Sequence, residues 1–216
     1  MEVSDMIVKE ITQAETKPFI LGKHYAGRMP SISFAFGLFI GDKLEGVITF
    51  GKPASNSLCE GVCGKEYKSQ VYELNRLIIN EGLPRNYLSR FVSKALKSLK
   101  SHNLVIVSYA DEGMGHHGYI YQATNFIYTG KTKGRTDKYT EGNKHSRHYS
   151  DENKHLRKVR TPKHRYIYFT DNRKFWMDKL NYPVVEYPKG DNSRYILGET
   201  MKTKVINKLT KEEFYV

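Results

Sequence analysis

Cysteine is almost missing from this chain. Its 216 residues hold two, Cys59 and Cys63. A chain long enough for one well-cored domain needs no disulfide staple, so both read as thiols. No second pair completes a zinc site. Long apolar runs are missing too: LVIV and ISFAFGLFI are the longest, far short of the ~20 residues a membrane-spanning helix requires. The amino-terminal MEVSDMIVKE lacks the charged start, apolar middle and small-residue cleavage site of a secretory signal. These absences set the expectation of a soluble, cytoplasmic protein with no membrane partner.

What is present in excess is positive charge, a formal +12. Between Lys131 and Arg165 stand 12 Lys or Arg and four His against four acids, so about a third of the basic side chains occupy a sixth of the chain. Such a run is either a solvated surface or a contact for phosphate backbones, where clustered cations gain by releasing counterions. Nucleic acid is the partner that this charge favours, with an acidic protein or an anionic small molecule as the alternatives.

Hydrophobic patterning gives the order of elements. SISFAFGLFIG (31–41) and EGVITFG (45–51) read as a hairpin across GDKL. KSQVYELNRLII (68–79) alternates as a strand with one wet face. Within ELNRL (73–77), strict alternation places Glu73 and Asn75 on one face and Arg76 on the other. LPRNYLSRFVSKALKSLK (83–100) carries a helical stripe, with Pro84 suited to its first turn. LVIVSYAD (104–111) is a buried strand, a helix begins near His117, IYTGKTKGR (127–135) is a further strand, RYIYFT (165–170) a returning one and RKFWMDKL (173–180) a short helix. A strand, helix, strand crossover implies parallel neighbours. Residues 136–160 read as polar loop, and the chain after Tyr182 has no legible pattern.

Just past the buried strand, YADEGMGHHGYIYQATNF (109–126) crowds proton-carrying side chains together. Asp111 ends the strand, where an open sheet presents its chemistry. The same carboxylate could equally cap the following turn. His116, His117 and Asp111 are the ligand types of a non-haem iron site, but adjacent histidines usually diverge. Iron therefore has no clear ligand set, and no residue is assigned to a metal. Tyr25, Tyr119 and Phe126 are candidate stacking partners for a base, or core aromatics.

Five strings in order, HYAGRMP (24–30), FGKPAS (50–55), ELNRL (73–77), YAD (109–111) and HHGYIYQATNFIYTG (116–130), resemble the phage Mom-type DNA adenine modification proteins, a divergent branch of the N-acetyltransferase-like (GNAT) fold. The resemblance covers roughly residues 20–135. It implies an α/β (α+β) fold: a GNAT-like mixed twisted sheet flanked by helices, with a basic C-terminal extension. Residues 1–135 would form the catalytic core, and 136–216 an extension packed on or completing the same domain. The implied activity is a transferase that adds an acetamido or methylcarbamoyl-type group to the N6 amine of adenine in double-stranded DNA, protecting it from restriction. The donor would be a small molecule, acetyl-CoA or a related acyl donor, lying in a splayed gap between the strands at 68–79 and 104–111.

In such a fold the donor's pyrophosphate sits at the start of the helix after the first of those strands. That points to Leu77, Ile78, Arg85, Asn86 and Ser89. The turn NEGLPRNYLSR departs from the usual two-glycine pattern, and Pro84 would remove an amide donor. Asp111 becomes the expected base, and Tyr121 the proton donor to the leaving group. His24 and Tyr25 would wall the acceptor pocket and hold or deprotonate the base. Arg28, Lys131, Lys133, Arg135, Lys138, Lys144 and Arg147 are the expected phosphate contacts. The family is also associated with a suggested iron requirement. Two other functions compete: acyl transfer to a protein or an aminoacyl-tRNA, and DNA binding without catalysis.

Overall fold

The computed structural model describes residues 6–141, 148–190 and 202–216. Lys144 and Arg147 lie outside the described residues. Two sheets organise the chain. The larger is seven-stranded, in the order β1 (Met6–Glu10), β2 (Phe34–Ile40), β3 (Lys43–Gly51), β4 (Val71–Ile79), β5 (Val105–Asp111), β9 (Lys163–Phe169), β6 (Ile127–Lys131). The smaller runs β11 (Glu213–Tyr215), β10 (Lys204–Asn207), β8 (Leu156–Arg160), β7 (Arg135–Lys138). Among the described residues every pairing is antiparallel except β4 with β5.

Helices cover both faces of the large sheet. On one face, α3 (Tyr87–Ser98) places Phe91, Val92, Ala95 and Leu96 against Phe36, Ile48, Leu74 and Ile106, and the short α4 (Tyr119–Ala123) adds Ile120 and Tyr121. On the other, Phe19 and Ile20 of α1 (Gln13–Gly22) pack on Val47 and Ile78. There too α2 (Asn56–Cys63) and Trp176 of α5 (Arg173–Lys179) cover Val71, Val105, Val107 and Ile167. Cys59 and Cys63 are buried free thiols, and burial raises Cys63 to about 11. No helix among the described residues is long and apolar enough to cross a membrane.

Several expectations change in detail. Pro84 lies ahead of α3 rather than in its first turn, and its carbonyl accepts from the Tyr87 amide at 2.9 Å. It therefore removes no first-turn donor. α4 starts at Tyr119, two residues after the adjacent histidines, and Phe126 is fully buried and no stacking candidate. Tyr119, by contrast, is exposed. The stretch read as polar loop holds β7 and β8, and β9 enters the large sheet between β5 and β6. A short strand pair with one charged face leaves little hydrophobic periodicity in a sequence.

Candidate active site

The parallel ladder between β4 and β5 is short. Val71, Tyr72 and Glu73 pair with Val105, Ile106 and Val107, and no pairing follows. One residue further, the Ser108 hydroxyl still donates to the Leu74 carbonyl at 3.1 Å. Beyond that point the strands part, in the place where the resemblance puts the donor.

A bulge on β4 decides which side chains look into this opening. Thr49 of β3 pairs with Arg76 and Phe50 with Leu74, so Asn75 is the extra residue. An inserted residue reverses the alternation that follows it. Leu74 and Leu77 both reach the α3 side, so Glu73 and Arg76 share the opposite face, and the sequence-based placement of Arg76 away from Glu73 is overturned. Alternation read along one strand cannot reveal a bulge, because the bulge belongs to the pairing with β3.

The bulge also anchors the loop carrying His24, Tyr25 and Arg28. Asn75 accepts from the Thr49 hydroxyl at 2.6 Å and donates to the Ser31 carbonyl at 2.8 Å. Arg76 donates to its neighbour's carbonyl at Asn75 (2.6 Å) and to the Arg28 carbonyl at 3.0 Å. The loop is thereby held over the opening. His24 is buried and stacks on Tyr25 with ring centroids 4.3 Å apart. Burial, reinforced by the Arg76 and His116 charges, drops its pKa to about 3. Its Nδ1 accepts from the Ala26 amide at 3.0 Å, which puts the ring proton on Nε2. His24 is thus a neutral N–H donor, suited to holding a base rather than deprotonating it.

Asp111 is heavily engaged. Its Oδ1 accepts from the Gly113 amide at 3.1 Å and from the Thr161 hydroxyl, and its Oδ2 pairs with Lys163 Nζ at 2.9 Å. Burial pushes its carboxyl up, but these hydrogen bonds and the Lys163 charge outweigh it and leave it below the ordinary range. It is both a cap and one half of an ion pair. The adjacent histidines diverge. His116 lies in the field of His24 and Asp111, with burial lowering its pKa, while the His117 ring sits 5.5 Å from His164. Among the described residues no group of three His, Cys, Asp or Glu is placed to hold a metal.

Tyr121 packs on the α3 side of the opening against Phe126 and Tyr166, and burial pushes its hydroxyl up to about 12. It therefore keeps its proton at neutral pH. Glu73 approaches the same opening from the opposite face, close enough for its charge to act on Tyr121 and Tyr109.

At the donor end, Ile78 is buried and Leu77 packs on the core, so both could offer only backbone to a ligand. Arg85 and Asn86 are exposed at the start of α3, and Asn86 makes no side-chain cap. Ser89 donates its hydroxyl to the Asn86 carbonyl at 3.1 Å. At the acceptor end, Lys133, Arg135 and Lys138 are exposed, with Lys138 over the Tyr149 ring at 3.4 Å. Lys131 pairs with Glu112 at 2.9 Å. Lys158 of β8 lies in the field of Arg28. The basic small sheet thus comes within electrostatic range of the loop that carries His24, a proximity that sequence spacing could not foretell.

The chain is similar to known proteins in sequence and, separately, in structure. The profile described as the Mom protein family matches residues 5–189. The Methylcarbamoylase mom of Escherichia phage Mu is 32% identical over 130 residues, covering 58% of this chain and 54% of that relative. The chain spans about half the length of the curated relative it matches. Similar solved structures include an N-acetyltransferase from Staphylococcus aureus Mu50 (TM-score 0.49, 12% identity, covering 78% of this chain and 100% of that one). Another is yncA, a putative acetyltransferase from Salmonella typhimurium with acetyl-CoA (TM-score 0.48, 8% identity, covering 78% and 96%).

Proposed function

Because the chain belongs to the Mom protein family, we propose that it is a transferase modifying the N6 amine of adenine in DNA, with the methylcarbamoyl group named for its phage Mu relative as the expected addition. One observation carries this reading: the β4–β5 opening is walled by the His24–Arg28 loop, and the basic small sheet brings Lys158 into the electrostatic field of Arg28 on that same loop. An opening for a donor and a surface for phosphates thus meet at one place. N6 is a weak nucleophile because its lone pair is delocalised into the ring, so positioning and proton removal must supply most of the rate. Extrusion of the base would cost a few kcal/mol, offset by backbone contacts to the cationic surface.

The residues present fit an acyl donor of the coenzyme A class. The amides at the uncapped start of α3 suit a pyrophosphate, with Arg85 and Asn86 exposed beside them. Gly82 there has open space where a Cβ would point. Such a donor supplies an activated carbonyl. His24 would hold the base through its Nε2 proton, Tyr25 would stack beside it, and Asp111 would orient Lys163 and the turn after β5. Tyr121 would deliver a proton to the departing group.

Nucleosides from plasmid DNA recovered after co-expression test the reading by mass spectrometry. A mass-shifted deoxyadenosine is the expected product. An unmodified adenine pool in cells making folded protein overturns the proposal, and acylated protein or aminoacyl-tRNA in its place identifies the competing activity.

The cationic surface makes its own prediction. Replacing Lys133, Arg135 and Lys138 together with alanine should weaken duplex binding at every sequence and reduce the slope of log K against log salt by about 2 to 3, at ~0.9 per phosphate contact. A salt titration by fluorescence anisotropy reads this directly. An unchanged slope removes these three residues from the interface.

A further inference from the structure

Around the β4–β5 opening, most carboxylates are committed to partners. Asp111 is held by Gly113, Thr161 and Lys163. Glu112 pairs with Lys131 at 2.9 Å. Asp137 of the small sheet is shared between Arg160 at 2.8 Å and Arg135 at 3.4 Å. Glu73 differs. It feels the charges of Arg76 and Lys163, but it makes no hydrogen bond or ion pair among the described residues. It is neither a cap nor part of a ladder of side chains, and a partly desolvated carboxylate without a hydrogen-bond donor is a cost to the fold.

Its position is specific. Glu73 belongs to the last β4–β5 pair, opposite Val107, so its side chain stands where the two strands begin to part. The bulge at Asn75 turns Arg76 onto the same face, beneath the His24 loop. Tyr121 borders the opening from the other face and lies within the field of Glu73. The two groups that the sequence favours for proton removal are poorly suited to it here. His24 presents a proton rather than a lone pair, and both oxygens of Asp111 are occupied.

We propose that Glu73 is the catalytic base for the adenine amine, accepting an N6 proton, and that Arg76 is a positioning residue that favours the ionised carboxylate before the base enters. The proposal rests on the adenine-modifying function. As N6 forms its bond to the carbon of the activated acyl donor and the bond from that carbon to the leaving group breaks, Glu73 takes one N6 proton. Tyr121 gives its proton to the departing group, and exchange with solvent restores both side chains. The same contact supplies selectivity, because a carboxylate attracts the N6 amine of adenine and repels the carbonyl oxygen that guanine carries at the equivalent position. Burial holds the Glu73 carboxyl above its ordinary range, closer to the pH at which a general base works best.

The test compares wild type, Glu73→Gln and Glu73→Asp by modified-adenine content of co-expressed plasmid DNA over a timed induction, with duplex binding and melting temperature measured on the purified proteins. Glu73→Gln is expected to lower the initial rate of modification ~100-fold or more, in line with the contribution of a general base. Duplex binding should stay unchanged and the melting temperature should be equal or higher, since the substitution removes a partly desolvated charge. Glu73→Asp should recover part of the rate. Modification by Glu73→Gln within threefold of wild type overturns the proposal while leaving the function intact. A wild type that modifies no adenine overturns both. A rate loss matched by a lowered melting temperature in both variants, with no recovery in Glu73→Asp, assigns Glu73 to structure and also overturns it.

Discussion

Gly51→Ala should lower the rate of adenine modification about 100-fold while leaving most of the large sheet folded. A Cβ at this position would stand 1.8 Å from the Ser31 carbonyl oxygen and 2.6 Å from its carbon, both backbone atoms that no rotamer change can withdraw. Gly51 pairs with Glu73 in the β3–β4 ladder, and the adjacent Phe50 carbonyl accepts from the Ser33 amide at 2.7 Å. The added methyl therefore drives the 23–33 loop away from the strand that anchors it. Overpacking of this kind costs about 1 to 3 kcal/mol, tolerable for a domain of this size. The Asn75–Ser31 and Arg76–Arg28 contacts would be lost with the displacement, moving His24, Tyr25 and Arg28 together. A shift of ~1 Å in a positioning wall costs about 100-fold in rate. Thermal melting with timed adenine modification checks both halves. A variant that melts normally and modifies DNA at the wild-type rate would show that the loop does not position the base.

Mild acid should destabilise the protein well before its carboxylates titrate, and His24 should account for much of the loss. In the folded chain His24 is buried and neutral with a pKa of about 3, against an ordinary 6.5. The unfolded chain binds a proton that the folded chain refuses, so stability falls as the pH drops below 6.5 and continues to fall to about 3. At about 1.4 kcal/mol per unit, the full loss amounts to several kcal/mol. Asp111 adds to it only lower down, because its folded pKa lies below the ordinary 3.8 and its contribution disappears as pH falls through that range. Glu73 works in the opposite sense: its raised folded pKa makes the ionised form a burden that acid relieves. Urea unfolding at pH 7.5, 6 and 5 should show a steady decline for wild type and a shallower one for His24→Gln, the remainder coming from His116 and His164, which burial also lowers. Equal slopes for the two proteins would mean that His24 is accessible to protons in the folded state.

The elements that could be read in advance are those whose pattern is local. The hairpin of β2 and β3, the α3 stripe through Phe91, Val92, Ala95 and Leu96, and the apolar run of β5 each carry their period in consecutive residues. The first strand and helix and the small sheet escaped because short, half-charged segments carry almost no period. Among the candidate residues, His24, Tyr25, Arg28, Asp111 and Tyr121 were identifiable from ordered strings. Glu73 stood inside one of those strings, yet the sequence put Arg76 on the face opposite it, whereas the bulge at Asn75 puts both on one face.

The sequence by itself determined that this chain builds a mixed sheet with a strand, helix, strand crossover at its centre, and that cations follow that unit in a dense run. Hydrophobic period and charge are properties of neighbouring residues, so a linear reading captures them. Only the tertiary structure decided that Asn75 is an extra residue against β3, turning Arg76 toward Glu73, and that Thr161 and Lys163 occupy Asp111. It also decided that β8 brings Lys158 toward Arg28. Each of these depends on pairing between segments far apart in the chain, and a strand's own residues do not state what will pair with it.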